Sequence, residues 1–117
     1  MLPSAFSCQA DPMTLDDLQR DVDAYISQFK EGYFPPLENM VRLSEEVGEL
    51  AREVTHLHGH KKKKPSEAPS NALEEIGDVL FVVTCLANQL GLSLEEALRL
   101  TLTKYNVRDA NRWTRLE

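Results

Sequence analysis

The sequence predicts an all-α protein, an antiparallel four-helix bundle, and three observations predict it. Apolar residues recur three and four apart along most of the chain, with no sustained alternation of the kind a half-buried strand needs. Four such stretches are set off from one another by glycine, proline and capping residues. The third stretch is apolar nearly all the way round, which marks a helix enclosed on most sides by neighbours.

Residues 1–13 read as a loose N-terminal tail and 14–117 as one helical domain. The tail has no basic residue ahead of Leu2, Ala5 and Phe6 and no long apolar region, so it makes a poor signal peptide. The first helix starts at Thr14, whose hydroxyl can cap while Asp16 and Asp17 meet the positive helix end. Leu15, Leu18, Val22, Ile26 and Phe29 form its stripe. Gly32 and the Pro35-Pro36 pair end it and open the second helix, expected from about Pro36 to Leu57 with Met40, Leu43, Val47, Leu50, Val54 and Leu57 towards the core. Gly59 stops that helix. The stretch KKKKPSEAPS at 61–70 is too polar to order itself by burial and reads as a loop. A third helix is expected from about Asn71 to Leu90, carrying Val79-Leu80-Phe81-Val82-Val83, and a Ser93/Glu96 capping box opens a fourth towards Asn106. The third helix has more apolar surface than one small monomer can cover, so the chain is expected to self-associate.

Composition narrows the function. Thirteen basic against nineteen acidic residues leave a net charge of −6, and so acidic a surface repels a nucleic-acid backbone. No run reaches the roughly 18 apolar residues of a spanning helix, so no membrane partner is expected. The two cysteines, Cys8 and Cys85, suggest no disulfide framework, which suits the cytoplasm.

The chemistry lies in two acidic steps on separate expected helices, Glu45-Glu46-Val47-Gly48-Glu49 and Glu75-Ile76-Gly77-Asp78. Residues three apart on a helix lie about 60° from one another, so Glu46 projects with Glu49 and Glu75 with Asp78. Glu46 borders the apolar stripe, and Glu75 and Asp78 share a face with Val82. An unpaired buried carboxylate is costly, so these groups call for a cation. An all-oxygen set with about four negative charges suits Mg²⁺ or Mn²⁺ better than zinc or copper. Gly48 and Gly77 inside the two steps predict a close helix or ligand approach, since a helix-interior glycine costs about 1 kcal/mol relative to alanine.

These residues resemble the MazG-type nucleotide pyrophosphohydrolases of the all-α NTP pyrophosphatase superfamily. The likeness runs from E-E-x-x-E at Glu45 to Glu49 and E-x-x-D at Glu75 to Asp78 to the flanking FKEGYFPPLENMVRLSEEVGELARE, EEIGDVLFV and KYNVRDANRW segments. It implies a helical homo-oligomer, commonly a dimer of dimers, that uses Mg²⁺ to hydrolyse a nucleoside triphosphate to the monophosphate and pyrophosphate, as in cleaning a nucleotide pool. Carried over by residue, Glu46, Glu49, Glu75 and Asp78 would hold the metal. Glu45 would orient or deprotonate the attacking water, or bind a further metal. Lys104, Asn106 and Arg108 match positions that contact phosphate or sugar, although basic residues at a helix C-terminus also complement its dipole.

Phe29, Tyr33 and Phe34 could stack on a base or simply pack the corner between the first two helices. His56, His58 and His60 make a poor metal set because Gly59 interrupts their helix, and Lys61 to Lys64 reads as a solvated loop before a phosphate-touching lid. The chain has no P-loop pattern. The rivals are narrower relatives (dUTPase-like, dCTPase-like or phosphoribosyl-ATP pyrophosphohydrolase), a di-iron bundle, which needs Glu-x-x-His steps this chain lacks, and a non-catalytic helical interaction module.

Overall fold

Thr14 sets the first helix as expected. Its Oγ1 accepts from the Asp17 N–H and the Asp17 carboxylate accepts from the Thr14 N–H, each at 3.0 Å, a closed capping box. Those bonds hold the Asp17 carboxyl below its ordinary range. The computed structural model describes residues 11–60, 62–66 and 71–116, and these form four helices and no strand. They are α1 (Leu15–Ser27), α2 (Pro36–His58), α3 (Ala72–Leu90) and α4 (Leu94–Arg108). Residues 1–10 of the expected tail, with Cys8, lie outside the described residues, as do Lys61 and residues 67–70 of the polar connection.

Pro36 stands at the first position of α2, where its missing N–H costs nothing, and Gly59 caps the end. The Asn71 side chain accepts from the Glu74 N–H at the start of α3, and Gly91 closes it with φ +67°, a left-handed conformation that favours glycine. At α4 the Ser93 hydroxyl accepts from the Glu96 N–H at 3.1 Å, so the first half of the expected box is present.

α3 is the central element. α2 lies antiparallel along it, α1 packs on it less extensively, and α4 bends by 104° from α3 and rests on α1. Two adjacent amides of α3 tie the layers together. Asn88 Nδ2 donates to the Gln19 carbonyl and to the Tyr33 hydroxyl, both at 3.0 Å. Gln89 Oε1 accepts from Asn39 Nδ2 at 2.8 Å, and Gln89 Nε2 donates to the Phe34 carbonyl. Buried Asn39 is thereby satisfied, as buried polar groups must be.

The apolar interior is small. Val22, Val82, Cys85 and Ala87 are buried, together with Asn39, His56 and Thr84. The expected inward stripe of α2 is corrected here: Met40, Val47, Val54 and Leu57 remain between 45% and 48% exposed, and Leu43 and Leu50 are half-buried. The reason is geometric. α4 swings away across α1 instead of closing over α2, so α3 is the main helix packed against α2. Phe29 is likewise past the end of α1 and half-exposed. Excess apolar surface therefore lies on α2 and α4 as well as α3, with Leu100 at 65% and Val107 at 76% exposed. No single helix among the described residues is long and apolar enough to cross a membrane.

Candidate metal centre

The antiparallel register of α2 and α3 places the acids. Asn39 bonds Gln89 near one end of the pair, and Glu53 Oε2 accepts from the Asn71 N–H at 3.1 Å near the other. Counting inward from both contacts sets Glu46 and Glu49 opposite Asp78 and Glu75. One carboxylate oxygen from each of the four lies within 4.8 Å of the others, the one such group among the described residues. The two acidic steps thus converge into a single centre.

Its electrostatics are those of a site short of positive charge. Glu46 Oε2 and Glu75 Oε2 are buried and accept no hydrogen bond. Burial pushes both carboxyls above their ordinary value of 4.5, and the charges of Glu49 and Asp78 push them further. Arg42, one turn before Glu46, acts in the opposite sense on Glu46. Orphaned buried carboxylate oxygens are expensive unless a cation completes them. Oxygens across a hard divalent ion stand about 4–5 Å apart, the scale observed. The residues therefore fit a hard cation held by Glu46, Glu49, Glu75 and Asp78.

The remaining expected residues fall in different places. Glu45 is exposed and outside the four-oxygen group, although its charge reaches Glu46. Lys104, Asn106 and Arg108 are not brought to the acids within one chain. Roughly 18 Å of helix rise separates Asp78 from the end of α3, and α4 leaves from that far end across α1. Arg108 is engaged by Asp109 at 2.9 Å and lies 4.3 Å from the Tyr105 ring centre. Lys104 Nζ is 5.3 Å from the same ring, and Asn106 lines a small cavity with Trp113. The close helix approach expected at Gly48 and Gly77 is corrected: a Cβ at either position would meet nothing, because both face open space. Of the three histidines, His56 is buried with Nδ1 unsatisfied, and His58 and His60 are exposed.

Beside the acids lies a cavity of about 510 Å³ between the end of α1, the turn into α2 and the middle of α3. Tyr25, Phe29, Phe34 and Phe81 give it aromatic walls, and Asn39 and Arg42 give it polar groups. The Tyr25 ring meets Phe29 and Phe81 edge to face at 5.4 and 5.9 Å. The Arg42 guanidinium lies 5.1 Å from the Phe34 ring centre. Arg42 and Phe81 join cavity to centre, each about one turn from an acid, Glu46 and Asp78. Tyr33 braces the turn: its hydroxyl donates to Asp23 at 2.7 Å, and burial with that bond pushes its pKa up to about 12.

Asn39, Arg42 and Glu53 were not singled out from the sequence. Helical spacing carried a signal for two of them, since Arg42 precedes Glu46 by four residues and Glu53 follows Glu49 by four.

A family model described as the MazG nucleotide pyrophosphohydrolase domain matches residues 34–113. The protein YpjD of Bacillus subtilis (strain 168) is 60% identical over 104 residues, which cover 89% of this chain and 94% of that protein. The crystal structure of YPJD from Bacillus subtilis is similar with a TM-score of 0.74 and 57% identity, covering 82% of this chain and 98% of that one. The crystal structure of the Bacillus-conserved MazG protein, a nucleotide pyrophosphohydrolase, is similar with a TM-score of 0.73 and 50% identity, covering 87% and 99%.

Proposed function

Because the chain belongs to the MazG nucleotide pyrophosphohydrolase family, we propose that it hydrolyses a nucleoside triphosphate to the monophosphate and pyrophosphate with Mg²⁺, or Mn²⁺ in its place. The observation that carries this reading is the four-carboxylate centre with two buried oxygens that lack partners. Glu46, Glu49, Glu75 and Asp78 hold the cation, whose charge, when bound, neutralises the triphosphate and acidifies a coordinated water. An acidic protein then needs no basic cradle of its own. Glu45, at the rim, accepts the proton of the attacking water. Water adds to the α-phosphorus, the bond to the bridging oxygen breaks, and pyrophosphate leaves.

The nucleoside occupies the aromatic cavity beside the centre, whose volume of about 510 Å³ is in the range of small-ligand sites. Lys104, Asn106 and Arg108 serve phosphate or sugar from a second copy, since their own chain holds them away from its acids. The half-exposed apolar faces of α2 and α4 are the surfaces on which copies meet in a homo-oligomer. Residues 14–117 work as one catalytic domain in the cytoplasm, where nucleotides are.

A panel of ribo- and deoxyribonucleoside triphosphates assayed for pyrophosphate release tests the reading. Release that needs Mg²⁺ and stops with chelator is expected. Release of orthophosphate instead, or turnover indifferent to chelator, would overturn it.

A further inference from the structure

The acid row of α2 does not stop at Glu49. Glu53 stands four residues on along the same face and is half-buried. It does not join the four-oxygen group; its carboxylate reaches the α2–α3 connection and the start of α3. Oε1 pairs with Lys63 Nζ of the α2–α3 connection at 2.9 Å, with side chains only 12% and 19% exposed. Oε2 accepts from the backbone N–H of Asn71, the residue that caps α3. The Asn71 carbonyl in turn accepts from the Glu75 N–H at 3.2 Å. A short hydrogen-bonded path therefore runs from α2 through Glu53 and Asn71 to the backbone of a carboxylate in the centre.

We propose that Glu53 is a positioning residue for the metal centre: by holding the Asn71 cap it fixes the first turn of α3, and with it the placement of Glu75 against Glu46 and Glu49. The proposal rests on the reading of the four acids as a metal site. The physical need is plain. Glu75 is repelled by Glu49, Asp78 and Glu46, so without a cation the start of α3 is driven away from α2, and the four N–H groups of a first turn have no partners inside the helix to resist it. Asn71 satisfies the Glu74 N–H through its side chain, and Glu53 secures Asn71 itself. Lys63 pairs with Glu53 and offsets part of its negative charge, which also acts on Glu75.

The test compares Glu53→Gln, which keeps an acceptor for Asn71 but loses the charge, with Glu53→Ala, which loses both. Two readouts are taken on the full chain: amide exchange of Glu75 in metal-free protein, and Mn²⁺ affinity by calorimetry. Wild type and Glu53→Gln should protect the Glu75 amide alike and bind Mn²⁺ within about threefold of each other. Glu53→Ala should exchange that amide at least tenfold faster and bind Mn²⁺ at least tenfold more weakly, with an unchanged helical circular dichroism spectrum. Equal loss in both variants would mean that charge alone matters, and no loss in either would mean that the contact is idle; both results overturn the proposal. Should Glu53→Ala not fold, a Glu53→Gln variant that loses Glu75 protection overturns it by itself. Failure of the metal reading shows separately, as wild-type protein that binds no Mn²⁺, while the exchange measurement still reports on the tie.

Discussion

Asp78→Asn isolates charge from shape at the centre. The change keeps the side chain's size and removes one of four carboxylates whose oxygens lie within 4.8 Å of one another. With a divalent cation at that limiting separation and a water-like dielectric, which suits the exposed Asp78, the lost attraction is about 1.7 kcal/mol, roughly twentyfold in metal affinity. That value is a floor, because direct coordination is shorter and two of the neighbouring carboxylates, Glu46 and Glu75, are half-buried. Turnover at limiting Mg²⁺ should fall by at least that factor, and further if the asparagine also misplaces the ion. The same change should stabilise metal-free protein, since Asp78 pushes against both Glu46 and Glu75. Calorimetric titration with Mn²⁺, pyrophosphate release against Mg²⁺ concentration, and melting with chelator measure the three effects. Affinity within threefold of wild type with normal turnover at limiting Mg²⁺ would refute the assignment of Asp78 as a ligand.

The pH dependence of stability follows from the same repulsion. Glu46 and Glu75 have folded-state values raised above 4.5, so their contribution to stability is fully present below 4.5 and is lost as pH rises through the raised values. Metal-free protein should therefore melt at falling temperature as pH is raised from about 4.5, and a Glu46→Gln/Glu75→Gln variant or added Mg²⁺ should flatten that fall; a wild-type slope no steeper than the variant's would count against the buried pair. At Gly77 a Cβ meets nothing, so Gly77→Ala should stabilise the metal-free chain by about 0.5–1 kcal/mol, read by chemical denaturation. If the variant gains that stability but loses turnover, the open space beside Gly77 is used by substrate or a second copy; if it loses stability, the helix is packed more closely there than the structure has it.

The four helices were legible because their signals are local. Thr14, Pro36, Asn71 and Ser93 act within one turn of their own backbone, and period alone marks the apolar stretches between them. The acidic pairs were legible for the same reason, since three-residue spacing on a helix fixes which side chains project together. The inward stripe of α2 misled because periodicity reports which face is apolar and is silent on what covers it. Met40 and Val54 sit on that face and remain half-exposed once α4 bends away. Gly48 and Gly77 misled in one respect: of the helix or ligand approach they advertise, no helix stands there in the single chain.

From sequence alone came the all-α class, the helix ends, the two acidic steps and the family likeness, all properties of residues near one another along the chain. Tertiary structure alone decided that the two steps meet, that Arg42 and the aromatic cavity adjoin them, that Glu53 ties the cap of α3, and that Lys104, Asn106 and Arg108 stand apart from their own acids. Those outcomes depend on helix register and on the angle at which α4 leaves α3, both set by contacts between residues tens of positions apart. No local pattern encodes such contacts, because each is chosen only when whole helix faces compete for the same partner.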